Sequence, residues 1–105
     1  MKTTNIYQNI PPHSAEEFFE TLLQNPALKI ERIVSRGHTA PKEGWYDQEE
    51  NEWVLLVEGE AILEFDNGET CRLKKGDFFY IPAHRKHKVA WTAPKQETIW
   101  LACFF

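Results

Sequence analysis

Several hallmarks of common protein classes are missing from this 105-residue chain. It has no run of about 18 apolar residues, so no transmembrane helix is predicted, and its N-terminal segment lacks the apolar stretch of a secretory signal. Lys and Arg number 12 against 16 Asp and Glu, and the resulting net charge of −4 argues against binding to nucleic acid or to an anionic membrane. The sequence therefore predicts a cytoplasmic protein that has neither as a partner.

Signatures of nucleophilic and phosphate-binding sites are also missing. The five glycines never cluster, which argues against a glycine-rich phosphate loop. Ser14 and Ser35 are the only serines, and we assign them to a helix cap and a strand end, so a serine triad is disfavoured. Cys71 and Cys103 are far apart in sequence, and we expect two reduced thiols and not a disulfide or a zinc pair.

What the chain does contain is enough apolar material for one folded domain. Hydrophobic residues make up 42% and aromatic residues 13% of the sequence. Asn5–Ile10 is predicted to be a short arm or an edge strand. An α-helix is predicted from Ser14 to about Gln24, because Ser14 and Glu17 form a capping box and Asn25-Pro26 ends the segment.

After this helix the pattern changes to seven or eight short β-like segments, about eight to twelve residues apart, which is typical of a sandwich or a barrel. Asp66-Asn67-Gly68 has the composition of a hairpin turn. We therefore expect a single domain over residues 1–105, with an arm and helix over 1–26 and a β-barrel over 27–105. The predicted strands are residues 28–35, 52–57, 61–65, 70–73, 78–81, 87–92 and 98–105.

Two stretches of this region resemble the sequence motifs of the cupins, which are double-stranded β-helix (jelly-roll) barrels. The glutamate and glycine of the first motif match Glu52 and Gly59, with six residues between them. The glycine, proline and histidine of the second motif match Gly76, Pro82 and His87. The resemblance covers roughly residues 30 to 105 and implies an all-β cupin barrel, here with one N-terminal α-helix.

The chain departs from both motifs. His84 stands where the second motif has a glycine, and Trp91 replaces its asparagine. The paired histidines of the first motif are missing. With a gap of three residues before the glutamate their positions are those of Tyr46 and Gln48, and with a gap of four those of Trp45 and Asp47.

These departures bear on metal binding. In metal-binding cupins the paired histidines, the glutamate and the second-motif histidine are the typical ligands, and here only Glu52 and His87 carry over. Asp47 or Gln48 could add an oxygen and His84 a nitrogen, giving a divalent metal site of unspecified identity that suits Lewis-acid chemistry. The alternative is that Glu52 and His87 form a hydrogen-bonded pair in a metal-free polar pocket.

A pocket for a small molecule is expected inside the barrel, and Tyr46 could act there as a donor or general acid. Three functions stay open: a metal-dependent enzyme of small-molecule chemistry, a metal-free binding or sensor module, and a structural dimerisation unit. Whether the chain is an enzyme is therefore undecided. The predicted pocket residues are Tyr46, Val54, Leu56, Val89 and Trp91.

Two surface features complete the sequence predictions. Arg85, Lys86 and Lys88 could ring the mouth of the pocket and attract an anion, or could be ordinary surface charge. Trp53 and the C-terminal Phe104 or Phe105 are expected to leave apolar area on the outer strands. Because closed two-fold interfaces are the commonest way to cover such area, a homodimer is expected.

Overall fold

A computed structural model describes residues 1–12 and 15–105 of the chain. Within these residues all regular structure is β-strand, and no helix is long and apolar enough to cross a membrane. The all-β prediction is therefore confirmed. The strands are β1 (Phe18–Asn25), β2 (Leu28–Ser35), β3 (Glu52–Glu58), β4 (Glu60–Phe65), β5 (Thr70–Lys74), β6 (Phe78–Ile81), β7 (His87–Thr92) and β8 (Thr98–Phe104).

The strands form two antiparallel sheets. The larger sheet has the order β1-β2-β8-β3-β6 and the smaller one β5-β4-β7. Strand β8 comes last in the chain but lies in the middle of the larger sheet, where Thr98 pairs with Ser35 of β2 and Phe104 pairs with Glu52 of β3. Segments that are far apart in sequence therefore share one inward face.

The predicted N-terminal helix is wrong. Residues 18–25 form β1, which pairs with β2 through a tight turn in which Asn25 Oδ1 accepts a hydrogen bond from the Ala27 amide at 2.8 Å. The physical reason is tertiary, because without β1 the strand β2 would expose a full row of unpaired backbone groups. Ser14, the expected helix cap, lies outside the described residues.

The hydrophobic core fills the space between the two sheets. Alternate residues of β3 and β4 point inward, and Leu56 and Ala61 are fully buried. Burial of this apolar area is the main stabilising term of the fold, at roughly 25 cal/mol per Å². The buried cluster contains Val54, Leu56, Ala61, Leu63, Phe65, Leu73, Ile81 and Trp100.

The N-terminal arm is held against the outer face of β2 by one buried arginine. Arg32 is 3% exposed and donates hydrogen bonds to the carbonyl oxygens of Ile6, Gln8 and Asn9 at 3.1, 2.6 and 3.2 Å. It also forms an ion pair with Glu20 of β1 at 2.7 Å. The arm forms no strand, and its backbone carbonyls are satisfied by a side chain instead.

Gly59 makes the sharp connection between β3 and β4. Its φ is +95°, and a Cβ atom at this position would lie 2.3 Å from Thr98 Oγ1 and 2.6 Å from Thr98 Cα. Thr98 is fully buried, so it has no room to yield. The motif glycine is therefore required both for its backbone conformation and for the close approach of β8.

Gly59→Ala should destabilise the protein more than Gly68→Ala. Both glycines have positive φ, +95° and +90°, but Gly68 has no atom within 4 Å of the added methyl group. Backbone strain of about 1–2 kcal/mol is common to both variants, and the clash at Gly59 adds roughly 1–3 kcal/mol. Urea unfolding of the two variants measures the difference, and equal losses of stability would contradict the close contact.

Candidate functional site

An open cavity of about 240 Å³ lies on the inward face of the larger sheet. It is smaller than the roughly 300–1,000 Å³ of typical drug-sized pockets, so it suits a compact ligand. Half of the residues that line the cavity are apolar or aromatic: Phe19, Ile33, Val54, Leu63, Ile81, Val89, Trp100 and Phe104. The other half are polar or charged: Glu17, Lys29, Glu31, Tyr46, Gln48, Glu50, Glu52 and His87.

One side of the cavity is a loop that is tied to β7 by backbone hydrogen bonds. The Tyr46 amide donates to the His87 carbonyl at 2.8 Å, and the His87 amide donates to the Tyr46 carbonyl at 3.1 Å. Ala40 and Val89 exchange a second pair of such bonds at 3.2 and 2.8 Å. The loop therefore acts as an extension of the smaller sheet and carries Tyr46 and Gln48 to the cavity wall.

The polar centre of the cavity is the contact between Glu52 and His87, which are 8% and 4% exposed. His87 Nε2 lies 3.4 Å from Glu52 Oε1, and the Gln48 amide group donates to the same oxygen at 3.3 Å. His87 Nδ1 donates to the Arg85 carbonyl oxygen at 2.7 Å. This last bond fixes the orientation of the ring and directs Nε2 toward Glu52.

The environment of His87 favours its charged form. Burial by itself would lower the pKa of His87, but the hydrogen bonds to Glu52 and to the Arg85 carbonyl outweigh it, and the pKa lies above its usual value of 6.5. Below that raised pKa the His87 ring is an imidazolium, and above it a neutral imidazole. The pair can therefore hold or release a proton inside the cavity.

Glu17 is a wall residue that the sequence analysis assigned to a helix cap. Trp100 Nε1 donates to Ser35 Oγ at 3.1 Å, and the Ser35 hydroxyl donates to the Glu17 carboxylate. Burial raises the pKa of Glu17, while the Ser35 hydrogen bond and nearby His38 oppose that rise. Side chains alternate along an extended chain, so Glu17 and Phe19, two residues apart around the start of β1, share the inward face. The predicted helix concealed this signal.

Tyr46 lies between the carboxyl groups of the cavity. Burial raises the pKa of the Tyr46 phenol, and Glu17, Glu52 and Glu31 raise it further. Its ring centroid is 5.6 Å from that of His87. The phenol is therefore a hydrogen-bond donor at neutral pH, which is the property that the predicted role requires.

Two of the candidate ligands from the sequence lie apart from this centre. Asp47 Oδ1 and His84 Nδ1 contact each other at 2.8 Å, with side chains that are 42% and 64% exposed. Neither residue lines the cavity. Of the five candidate ligands, the structure brings together Glu52, His87 and Gln48, and it pairs the other two at the surface.

The predicted pocket residues also divide. Tyr46, Val54 and Val89 line the cavity, whereas Leu56 is fully buried in the core. Trp91 is turned away by a shift of register in the β4–β7 pairing, which pairs Val89 with Leu63 but Trp91 with the adjacent Ile62. This β-bulge breaks the alternation on which the prediction for Trp91 depended.

The basic loop does not contribute to the cavity wall. The Arg85 guanidinium lies 4.4 Å from the centre of the Phe65 ring, and Lys88 Nζ lies 4.3 Å from the centre of the Trp45 ring. Among the described residues the wall has one Lys or Arg, Lys29, which forms an ion pair with Glu31 at 3.4 Å. The described part of the wall therefore has no unpaired lysine or arginine for an anion.

The side chains of the cavity do not fit a resident divalent metal. In residues 1–12 and 15–105 no three His, Cys, Asp or Glu side chains are grouped so that they could hold an ion, whereas protein metal sites usually have three or four such ligands. His87 has the orientation of a ligand. However, Gln48 presents its NH₂ group to Glu52, and an NH₂ group has no lone pair for a metal.

Two antiparallel sheets around a cavity, with a glutamate from β3 facing a histidine from β7, define a small jelly-roll barrel. The Cupin domain family matches residues 33–104. The chain belongs to the cupin family. Comparison with curated proteins gives no match.

Solved structures share the whole architecture. One from Ralstonia eutropha JMP134, provisionally named a mannose-6-phosphate isomerase, is 38% identical, with a TM-score of 0.91 over 99% of this chain and 97% of its own. A cupin superfamily protein from Desulfitobacterium hafniense DCB-2 is 18% identical, with a TM-score of 0.76 over 91% and 83% of the two chains. An RmlC-like cupin protein from Desulfovibrio desulfuricans is 17% identical, with a TM-score of 0.77 over 99% and 96%. The last two likenesses show the fold alone.

Glu52→Gln should lower the pKa of His87. The substitution removes the negative charge and the strongest acceptor beside Nε2, while the opposing effect of burial stays. Titration of the histidine ring protons by NMR measures the change. Glu50→Gln is the matched control, because Glu50 also lines the cavity but has no contact with His87 among the described hydrogen bonds and ion pairs. An unchanged pKa in Glu52→Gln would contradict the proposed pairing.

Proposed function

We propose that this cupin binds a small polar molecule directly through the side chains of its cavity, with the polar part of the ligand against Glu52 and His87. The observation that carries the proposal is the position of this pair. The two groups are almost fully buried, yet they form part of the wall of an open cavity, half of whose lining residues are aromatic or aliphatic. A few converging polar groups in an apolar cleft are typical of small-molecule sites.

The charges on the wall support a neutral or cationic ligand. Four glutamates line the cavity, and the single lysine is already paired with one of them. A phosphate or carboxylate group is usually held by arginine or lysine side chains. Here such a group would face Glu50 and Glu52, with no unpaired lysine or arginine on the described part of the wall.

A second candidate function is the isomerisation of a sugar. The support is the 38% identity, over nearly the full length of both chains, to the Ralstonia eutropha protein named provisionally for such a reaction. An aldose–ketose isomerisation moves a proton between neighbouring carbon atoms and needs an acid–base group within reach of both. Glu52 and His87 supply such a group, and the acidic wall favours an unphosphorylated sugar over its phosphate ester.

Ile33→Trp should abolish ligand binding, whereas Ile30→Trp should leave it intact. Both isoleucines are half-buried residues of β2, but Ile33 lines the cavity and Ile30, three residues earlier, points to the other side of the sheet. Saturation-transfer NMR with mannose, inositol, ethanolamine, mannose 6-phosphate and citrate measures binding. We expect signals from neutral or cationic compounds, at least tenfold weaker in Ile33→Trp.

The same spectra test both candidates. Binding of the two anions alone would contradict the charge argument, and no binding of any compound would contradict the proposed cavity function. New resonances of fructose in the mannose sample, lost in His87→Gln, would support the isomerase. Unchanged mannose would reject it for this sugar.

We further propose that the chain forms a homodimer through the outer face of the larger sheet. Aromatic side chains cover this face at β3 and β6, and the ring centroids of Trp53 and Phe78 are 5.5 Å apart. Tyr80 and Phe105 continue the patch, with their rings stacked 6.4 Å apart. Phe78 is 66% exposed. Contiguous exposed apolar area of this kind supports an interface with a second copy.

Phe78→Glu should convert the dimer into a monomer. A stable interface buries about 800 Å² on each partner, and a charge at its centre leaves an unpaired carboxylate there. Sedimentation velocity at micromolar concentration should give twice the chain mass for the wild type and the chain mass for Phe78→Glu. Thr70→Glu, which adds the same charge to an exposed position of β5 in the other sheet, is the control. A monomeric wild type would contradict the proposal.

A further inference from the structure

The positions of the two missing histidines lie on the cavity wall. Tyr46 and Gln48 both line the cavity together with Glu52 and His87. Trp45 and Asp47, the alternative positions from the sequence, do not line it. The loop therefore places Tyr46 and Gln48, the positions given by the gap of three, beside Glu52. All four positions of the cupin ligand set face one space, although two of its three histidine positions carry no imidazole.

Glu52 and His87, the two ligand positions that keep a metal-binding side chain, already have partners inside the protein. The Gln48 amide group and His87 Nε2 approach the same oxygen of Glu52, at 3.3 and 3.4 Å. His87 Nδ1 donates a hydrogen bond to the Arg85 carbonyl oxygen. A metal bound to Glu52 Oε1 and His87 Nε2 would have to displace Gln48, and residues 1–12 and 15–105 offer no third anionic or imidazole ligand grouped with these two.

No buried polar group of the cavity is left without a partner in the described part of the chain. There, the one buried side-chain atom that lacks a hydrogen bond is Nε of Arg32, on the outer face of β2 under the N-terminal arm. At the polar centre of the cavity, Glu52 Oε1 and both ring nitrogens of His87 already have partners within the protein.

We propose that the hydrogen-bonded group of Gln48, Glu52 and His87 takes the place of the cupin metal ion, so that this chain works without a resident metal. The Gln48 amide connects the loop to β3 by its hydrogen bond to Glu52. In a metal-binding cupin the ion would make this connection, through the two imidazoles of the loop and the glutamate. The inference concerns the same cavity as the proposed function but does not depend on it. A cavity with or without a metal could bind a small molecule.

The test is to restore the missing ligands. Untagged wild type and the double variant Tyr46→His/Gln48→His are incubated with Zn²⁺, Mn²⁺ or Ni²⁺, dialysed, and analysed for metal by mass spectrometry. We expect ~1 equivalent of zinc or nickel in the double variant and ~0.1 or less in the wild type. Calorimetric titration should show at least ~100-fold tighter zinc binding in the double variant, since losing even an outer-shell partner of a ligand typically costs about tenfold or more and two direct ligands are restored here.

Two controls keep the result decisive. Adding His87→Ala to the double variant should remove the metal, which separates the cavity site from any site made by surface histidines. If the double variant does not fold, as judged by its circular dichroism, Gln48→His alone completes a three-ligand set with Glu52 and His87 and is measured in its place.

Two outcomes would overturn the proposal. One is stoichiometric metal in the wild type that is lost in Glu52→Ala or His87→Ala. The other is a folded double variant that binds no metal, because the positions of Tyr46 and Gln48 would then not be those of the missing ligands. Neither outcome would by itself remove the proposed binding of a small molecule, which the NMR measurements test separately.

Discussion

The insertion of β8 between β2 and β3 is the constraint on which the rest of the structure depends. This strand brings the end of the chain into the centre of the larger sheet and aligns its neighbours. At one end it sets Thr98 beside Ser35, and at the other it sets Phe104 beside Glu52. Because side chains alternate along a strand, this register decides which residues of three separate segments face the cavity.

The edges of this sheet then determine the extent of the cavity. Strand β1 pairs with β2 and adds Phe19 to the wall, while Glu17, just before it, is held by a hydrogen bond from Ser35. On the opposite side the loop is tied to β7 by the paired backbone hydrogen bonds between Tyr46 and His87. The wall is therefore assembled from the β1 edge of the larger sheet and from the loop that extends the smaller sheet, and its polar groups come from elements that no local sequence pattern links.

The fold and the chemistry of this cupin are separable. The motif residues Gly59, Gly76 and Pro82 are retained, whereas two of the four positions that hold a metal in metal-binding cupins carry a phenol and an amide. The same backbone can present an ion or a hydrogen-bonded network to the same space. In this chain the network leaves a carboxylate–imidazole pair in which burial lowers the pKa of His87 but its hydrogen bonds outweigh that effect and raise it.

Local chemistry in the sequence was sufficient for seven of the strands, because alternation and turn residues such as Asn67-Gly68 act within a few neighbours. The same is true of the cupin motifs, and hence of Glu52 and His87. Only the tertiary structure decided that residues 18–25 are a strand, that a bulge turns Trp91 away from Val89, and that Gln48 meets Glu52. These outcomes depend on pairing with distant segments, and a local sequence pattern does not report the free energy of such pairing.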